Sequence, residues 1–181
     1  MVKKYRKIVF PLFLFFVIVG FYSQFIFSFK LPFPADTIVG LYHPYRDYYG
    51  KEYPNGIPFK NFLITDPARQ IYVWKELSIQ AIKTFTIPSW NPYEMAGKPL
   101  AGNFQSSPFY PLNVVFLILP FKIAWGIFIA LQTILLGFFT YLYLRNLKLD
   151  NAAAVFGSVA FTFSGFVTSW LTWGTVVHTI L

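Results

Sequence analysis

Cysteine is absent from this chain of 181 residues, so neither a disulfide framework nor a cysteine-ligated metal site is available to it. Histidine is nearly absent. His43 and His178 stand far apart with no partner pattern, which argues against a zinc site. Charge is scarce too: 12% of the residues are charged, against roughly a quarter in soluble domains. The seven acids face fifteen bases, a formal charge of +8. Such an excess could suit nucleic acid, but its distribution excludes that partner. Lys3, Lys4, Arg6 and Lys7 stand directly before the first apolar run, Arg145 and Lys148 follow the second long one, and no basic aromatic face emerges.

What fills the chain instead is apolar: 56% hydrophobic and 22% aromatic residues, with a mean hydropathy of +0.51. These residues fall in blocks of spanning length, which predicts an all-α polytopic membrane protein. The expected transmembrane helices are 8–29, 123–144 and 152–172. A cleaved signal peptide competes for the first run, since Lys3–Lys7 resembles an n-region. The run is longer than a usual h-region, however, and Ser28, Phe29 and Lys30 offer no small-x-small cleavage site. Basic residues at 1–7 and in the turn 145–151 both mark the cytoplasmic side. The N-terminus is thus expected in the cytoplasm of a multi-pass cell-membrane protein, with 30–110 outside. Residues 111–120, closed by Pro120, are too short to span and predict an interfacial or re-entrant helix. Residues 173–181 read as the start of a further segment, so the chain is expected to be the N-terminal part of a longer protein.

In the third span, Ser158, Thr162, Gly165, Ser169 and Thr172 recur at helical spacing. They form a face suited to close packing, or to lining a polar cavity. Gln132 carries the same two readings, an interhelical hydrogen bond or a pathway residue.

The external loop holds every acid of the chain but Asp150. It has too few apolar runs for a large core of its own. Its first half is rich in turn formers and in tyrosine (Tyr42, Tyr45, Tyr48, Tyr49, Tyr53), suited to headgroup anchoring or to stacking on a sugar ring. Its second half predicts one amphipathic helix, about 67–86, lying at the membrane surface. Asp66 suits its N-cap, Pro67 its first position, and Pro88 ends it. Ile71, Trp74, Leu77, Ser78, Ala81, Ile82 and Phe85 make its apolar stripe, opposite Arg69, Lys75, Glu76, Gln80 and Lys83. Asp66 has two compatible readings: a helix cap, or a carboxylate whose fixed orientation suits a general base.

Beyond Asp66 the sequence carries Ile87-Pro88-Ser89-Trp90-Asn91-Pro92-Tyr93, Gly97-Lys98-Pro99-Leu100, Asn103-Phe104-Gln105-Ser106, Phe109-Tyr110-Pro111-Leu112-Asn113 and Ser164-Gly165-Phe166-Val167-Thr168. In this order the blocks resemble the YfhO family of bacterial membrane proteins, within the GT-C class of glycosyltransferases. The resemblance runs from about Asp66 to the end of the chain. It implies the N-terminal part of an enzyme that moves a sugar from a polyprenyl-phosphate donor to a cell-envelope acceptor at the outer membrane face. By that resemblance Asp66 is the general base, Asp36 the runner-up and Asp47 the third candidate. Arg69 and Lys98 would neutralise the leaving phosphate, or be solvated surface charges. Trp90 and Tyr93 would stack on sugar or prenyl chain, or pack the loop, and Asn91 and Gln105 complete the implied substrate-binding set. No cofactor is fixed by the resemblance. A divalent metal stays open, although Pro67 stands where some relatives carry a second acid, which argues against it. The alternative reading is a non-enzymatic transport or assembly protein whose external loop binds a partner.

Overall fold

The computed structural model of the chain describes residues 2–48, 50, 53–55 and 64–174. The structure is mostly helical, with 68% helix and 3% strand. The chain divides into two compact units, Met1–Pro32 with Lys122–Leu181, and Phe33–Phe121. Tyr49 of the tyrosine cluster, and the end of the expected final segment from 175 on, lie outside the described residues.

The first unit is a helical bundle. Helix α1 (Val2–Phe21) and the short α2 (Ser23–Ser28) take up the first apolar run, separated at Tyr22. Gly20 and Ser23 flank that break, a pairing that weakens a helix locally. The Tyr22 hydroxyl is held there by Thr133 Oγ1 at 2.7 Å. Helix α7 (Phe121–Asn146) covers the second run without interruption. Among the described residues it is the one helix long and apolar enough to cross a membrane. The third run differs from the single span expected. It is a broken pair, α8 (Asn151–Thr162) and α9 (Gly165–Trp170), bent by 40° where a 3-10 turn, Leu171–Trp173, extends the second member. The break has a local cause: the Ser164 hydroxyl accepts the Val167 N–H, so Ser164 caps a new helix rather than continuing the old one. Asp150 starts α8 the same way, accepting the Ala153 N–H at 2.8 Å.

The break also divides the predicted small-residue face. Ser158 and Thr162 are buried, whereas Gly165 and Ser169 beyond the break are exposed. What remains of the face is a packing surface. Ser158 Oγ donates to the Gly137 carbonyl of α7. A β-carbon at Gly137 would stand 3.2 Å from Thr162 Oγ1 and 3.4 Å from both Ile18 and Leu14. Glycine there lets α1, α7 and α8 meet at van der Waals distance. Leu14, Ile18, Phe128, Ile129, Leu136 and Val155 form the core around this point.

The second unit is built around α5 (Tyr72–Lys83), entered through a π-helical turn, Pro67–Ile71. Before it lie two short helices, α3 (Asp36–Leu41) and α4 (Tyr45–Tyr48). After it come a two-residue antiparallel hairpin, β1 (Trp90–Asn91) with β2 (Lys98–Pro99), two 3-10 turns at Phe104–Ser106 and Pro111–Asn113, and α6 (Val114–Ile118). No large core was expected of this segment, and the one it has is small: Ile71, Trp74, Ile79, Leu100 and Phe116 are buried here.

The buried face of α5 is rotated from the predicted stripe. Residues 71, 74, 75, 78 and 79 are buried, whereas Phe85 is fully exposed. The turn at Phe104–Ser106 and helix α6 pack against this helix, so the part of its stripe at 71, 74 and 78 is an internal surface of this unit. Its end is also set differently. The helix stops at Lys83, before the predicted boundary. Thr86 N–H donates to Ala81 O at 2.8 Å and Phe85 N–H to Ile82 O at 3.0 Å, with Phe85 at φ +55°. This is a Schellman closure in which phenylalanine takes the place usually held by glycine.

Candidate functional site

Asp66 opens the helix but does not cap it. Its backbone is already helical (φ −58°, ψ −38°) and its side chain accepts no hydrogen bond from the turn that follows. The first N–H groups are satisfied by a backbone oxygen instead, Thr65 O receiving Ala68 N–H at 3.1 Å and Arg69 N–H at 3.0 Å. The carboxylate is half-buried and enters no ion pair among the described residues. The cap reading of Asp66 therefore falls, and its carboxylate stays uncommitted beside a π-turn, an element that recurs at functional sites.

The other acids differ. Asp36 lies in the first turn of α3 and is exposed. Asp47 is engaged locally by His43 Nδ1 at 2.6 Å and Arg46 Nε at 3.6 Å. Arg69 is exposed and stacks on the Tyr42 ring, 5.6 Å from its centroid. Gln105 is exposed in its 3-10 turn, where its N–H is received by Asn103 Oδ1 at 3.1 Å.

Four of the predicted binding residues come together on one hairpin, organised by a carboxylate that sequence reasoning passed over. Glu94 Oε2 accepts from Trp74 Nε1 at 2.7 Å, Asn91 Nδ2 at 2.8 Å and Lys98 Nζ at 2.8 Å. Lys98 Nζ also lies 4.2 Å above the Trp74 ring centroid, a cation–π contact. Burial opposes ionisation of Glu94, but the hydrogen bonds and charge of Lys98, with those of Trp74 and Asn91, outweigh it and hold its pKa below the ordinary value. Asn91 is buried and fixes the loop from its other end, its Oδ1 receiving Tyr93 N–H at 3.0 Å. Gly97 sits at φ +107° with the Trp90 indole edge 2.5 Å from where a β-carbon would be, so only glycine lets this ring close over the hairpin. Trp90 and Tyr93 keep 55% and 78% of their surface exposed. Within the predicted set, Asn91 and Lys98 are committed to the loop itself, while Trp90 and Tyr93 present aromatic surface.

A second polar cluster was missed because lysine reads as a surface residue. Lys75, assigned to the polar stripe, is fully buried. Its Nζ donates to Ser107 Oγ at 2.5 Å, Asn113 Oδ1 at 3.1 Å and Ser107 O at 3.3 Å. Asn113 Nδ2 in turn donates to Ser107 O and Pro108 O, both at 2.8 Å. These oxygens draw the lysine inward and rotate the buried face of α5 toward it. Burial pushes the Lys75 pKa down to about 7, and it raises those of Tyr110 and, with the charge of Glu76, Tyr72. Ser107 has a left-handed backbone (φ 40°) that is uncommon for a non-glycine residue.

Among the described residues, no group of three or more histidine, aspartate or glutamate side chains is placed to hold a metal ion. No known protein family, curated protein or solved structure matches the chain.

Proposed function

We propose that this chain is part of a membrane glycosyltransferase that transfers a sugar from a polyprenyl-phosphate donor to a cell-envelope acceptor at the outer face, with Asp66 as general base. The observation that carries this reading is the state of Asp66: held by a helix start, half-buried, and spent neither on capping nor on an ion pair. A base must be fixed in place yet free to take a proton. In the step proposed, the acceptor oxygen bonds to the anomeric carbon as the bond from that carbon to the phosphate oxygen breaks. The hydroxyl proton passes to the Asp66 carboxylate, and polyprenyl phosphate leaves with the bonding pair. Arg69 is the exposed cation best placed in sequence to meet that phosphate, and Trp90 and Tyr93 offer stacking surface for sugar or prenyl chain. Asp36 is the second candidate base.

The test is donor turnover by membranes carrying the protein, supplied with a panel of radiolabelled polyprenyl-phosphate hexoses. Asp66→Asn is expected to lower release of polyprenyl phosphate by about 100-fold or more, at unchanged protein level. Undiminished turnover in that variant sinks the assignment. The non-enzymatic reading draws on the internal commitment of Asn91 and Lys98 to Glu94. It predicts no donor turnover by either protein, and partner binding that tolerates the amide.

A further inference from the structure

Of the apolar side chains exposed between Phe85 and Ala96, the sugar-transfer reading uses only Trp90 and Tyr93. Phe85 is 100% exposed, Met95 92%, Tyr93 78%, Ile87 71% and Trp90 55%. Elsewhere such surface would be a liability in water, yet here the backbone is ordered so as to present it. Phe85, Met95 and Ala96 have φ of +55°, +50° and +60°, left-handed values that bulky residues adopt only when their surroundings enforce them. Backbone hydrogen bonds enforce them. The Schellman closure fixes Phe85, Gly97 N–H donates to Glu94 O at 2.6 Å, and Leu100 N–H donates to Ser89 O at 2.9 Å.

Charge in the segment is arranged to match. Its one acid, Glu94, is neutralised by Lys98 and by the Trp74 and Asn91 donors. Lys83, two residues before it, is exposed and adds a net positive charge. A loop whose carboxylate is already paired can enter a region of low dielectric without the desolvation cost of a lone ion. Tryptophan and tyrosine are the side chains that settle at headgroup depth, and a basic flank complements anionic headgroups. In sequence, the unit that carries this loop leads through the exposed Val114, Leu117 and Ile118 into the spanning-length helix α7.

We infer that the Phe85–Ala96 loop is a lipid-surface anchor, inserting Phe85, Ile87, Trp90, Tyr93 and Met95 into the headgroup region of an anionic bilayer. The inference rests on the chain being a membrane protein; it shares Trp90 and Tyr93 with the sugar-transfer reading but does not require that reaction.

Because the chain has no cysteine, single labelling sites can be introduced without background. Nitroxide labels at Met95→Cys, and at Ile87→Cys as a second site, are read by spin-label relaxation in the full chain, reconstituted into vesicles of phosphatidylcholine and phosphatidylglycerol. Gln80→Cys, exposed on α5, is the aqueous reference, and Phe138→Cys in α7 reports on the membrane itself. The expected result is an oxygen-to-nickel-complex accessibility ratio at 95 and 87 several-fold above that at 80. Labels at 95 and 87 as water-accessible as the one at 80, with 138 in lipid, overturn the anchor and leave the membrane reading standing. All four in water overturns both. A label at 95 shielded from oxygen and nickel alike means that protein covers the loop, whether a second copy or another segment, and also overturns the anchor.

Discussion

Single residues in this chain are informative where their chemistry contradicts their surroundings, and Lys75 is the plainest case. Its ordinary pKa of 10.5 falls to about 7 on folding because burial disfavours the ammonium form. Between those values the unfolded chain holds a proton that the folded chain has shed. Stability therefore rises with pH from about 7 to 10.5 and is level on either side. Lys75→Met keeps the side-chain length and removes the titration. Denaturant unfolding of the two proteins at each end of that window should show a rise for the wild type and none for the variant. Equal pH dependence in both would place the titrating group elsewhere. Glu94 has the opposite sign. Held below its ordinary value, it contributes stability at neutral pH that is lost as pH falls through the carboxylate range. Neither residue was legible from periodicity, since a helical pattern scores lysine as polar and cannot see three oxygens contributed by residues 107 and 113. Asp66 was legible in part. Its place at a helix start followed from Pro67 and the stripe after it, but the π-turn that relieves it of capping leaves no trace in composition.

At the scale of elements, length and apolarity predicted α7 almost to its ends, because an uninterrupted apolar run has few alternatives to a helix. The broken third run was not foreseen, because Ser164 acts as a cap only when the Val167 N–H turns toward its hydroxyl. The hairpin was hidden too: Trp90–Asn91 pairs with Lys98–Pro99 over two residues each, far too short for alternation to register. Close packing gives a direct test at Gly137, where side chains of α1 and α8 meet α7. Gly137→Leu must displace Leu14, Ile18 or Thr162, and overpacking of this kind destabilises by about 1–3 kcal/mol. A drop in thermal unfolding temperature of the purified protein checks it, and an unchanged value would mean that the helices do not touch there. Phe85→Gly offers the reverse. Removing a left-handed phenylalanine should stabilise the unit by up to about 1 kcal/mol, while thinning the proposed anchor.

For the molecule as a whole, the basic clusters at Lys3–Lys7 and Arg145–Lys148 frame the proposed orientation, with both on the cytoplasmic side. Cysteines placed singly at Gln80 and at Lys148 should separate under a membrane-impermeant maleimide applied to intact cells, the first labelled and the second not. Labelling of both, or of Lys148 alone, would reverse or abolish the topology. The division into two units was only half visible in the sequence. The apolar blocks outlined the first, but the second assembles from short elements tied by Glu94, Lys75 and Asn113, which no local pattern announces.

The bend between α8 and α9 carries a consequence for solvation. A helix that ends and restarts leaves carbonyls without their usual N–H partners. Hydrocarbon tails have no donor to offer them. In a bilayer, the side of the pair that bears Thr162, Phe163 and Ser164 must accordingly face water or donor groups from protein, while Phe161 and Phe166, both exposed, can face lipid. Thr162 is buried against α7, so on that side protein rather than lipid surrounds the break, and the bend gives the helix pair one face for protein and one for hydrocarbon.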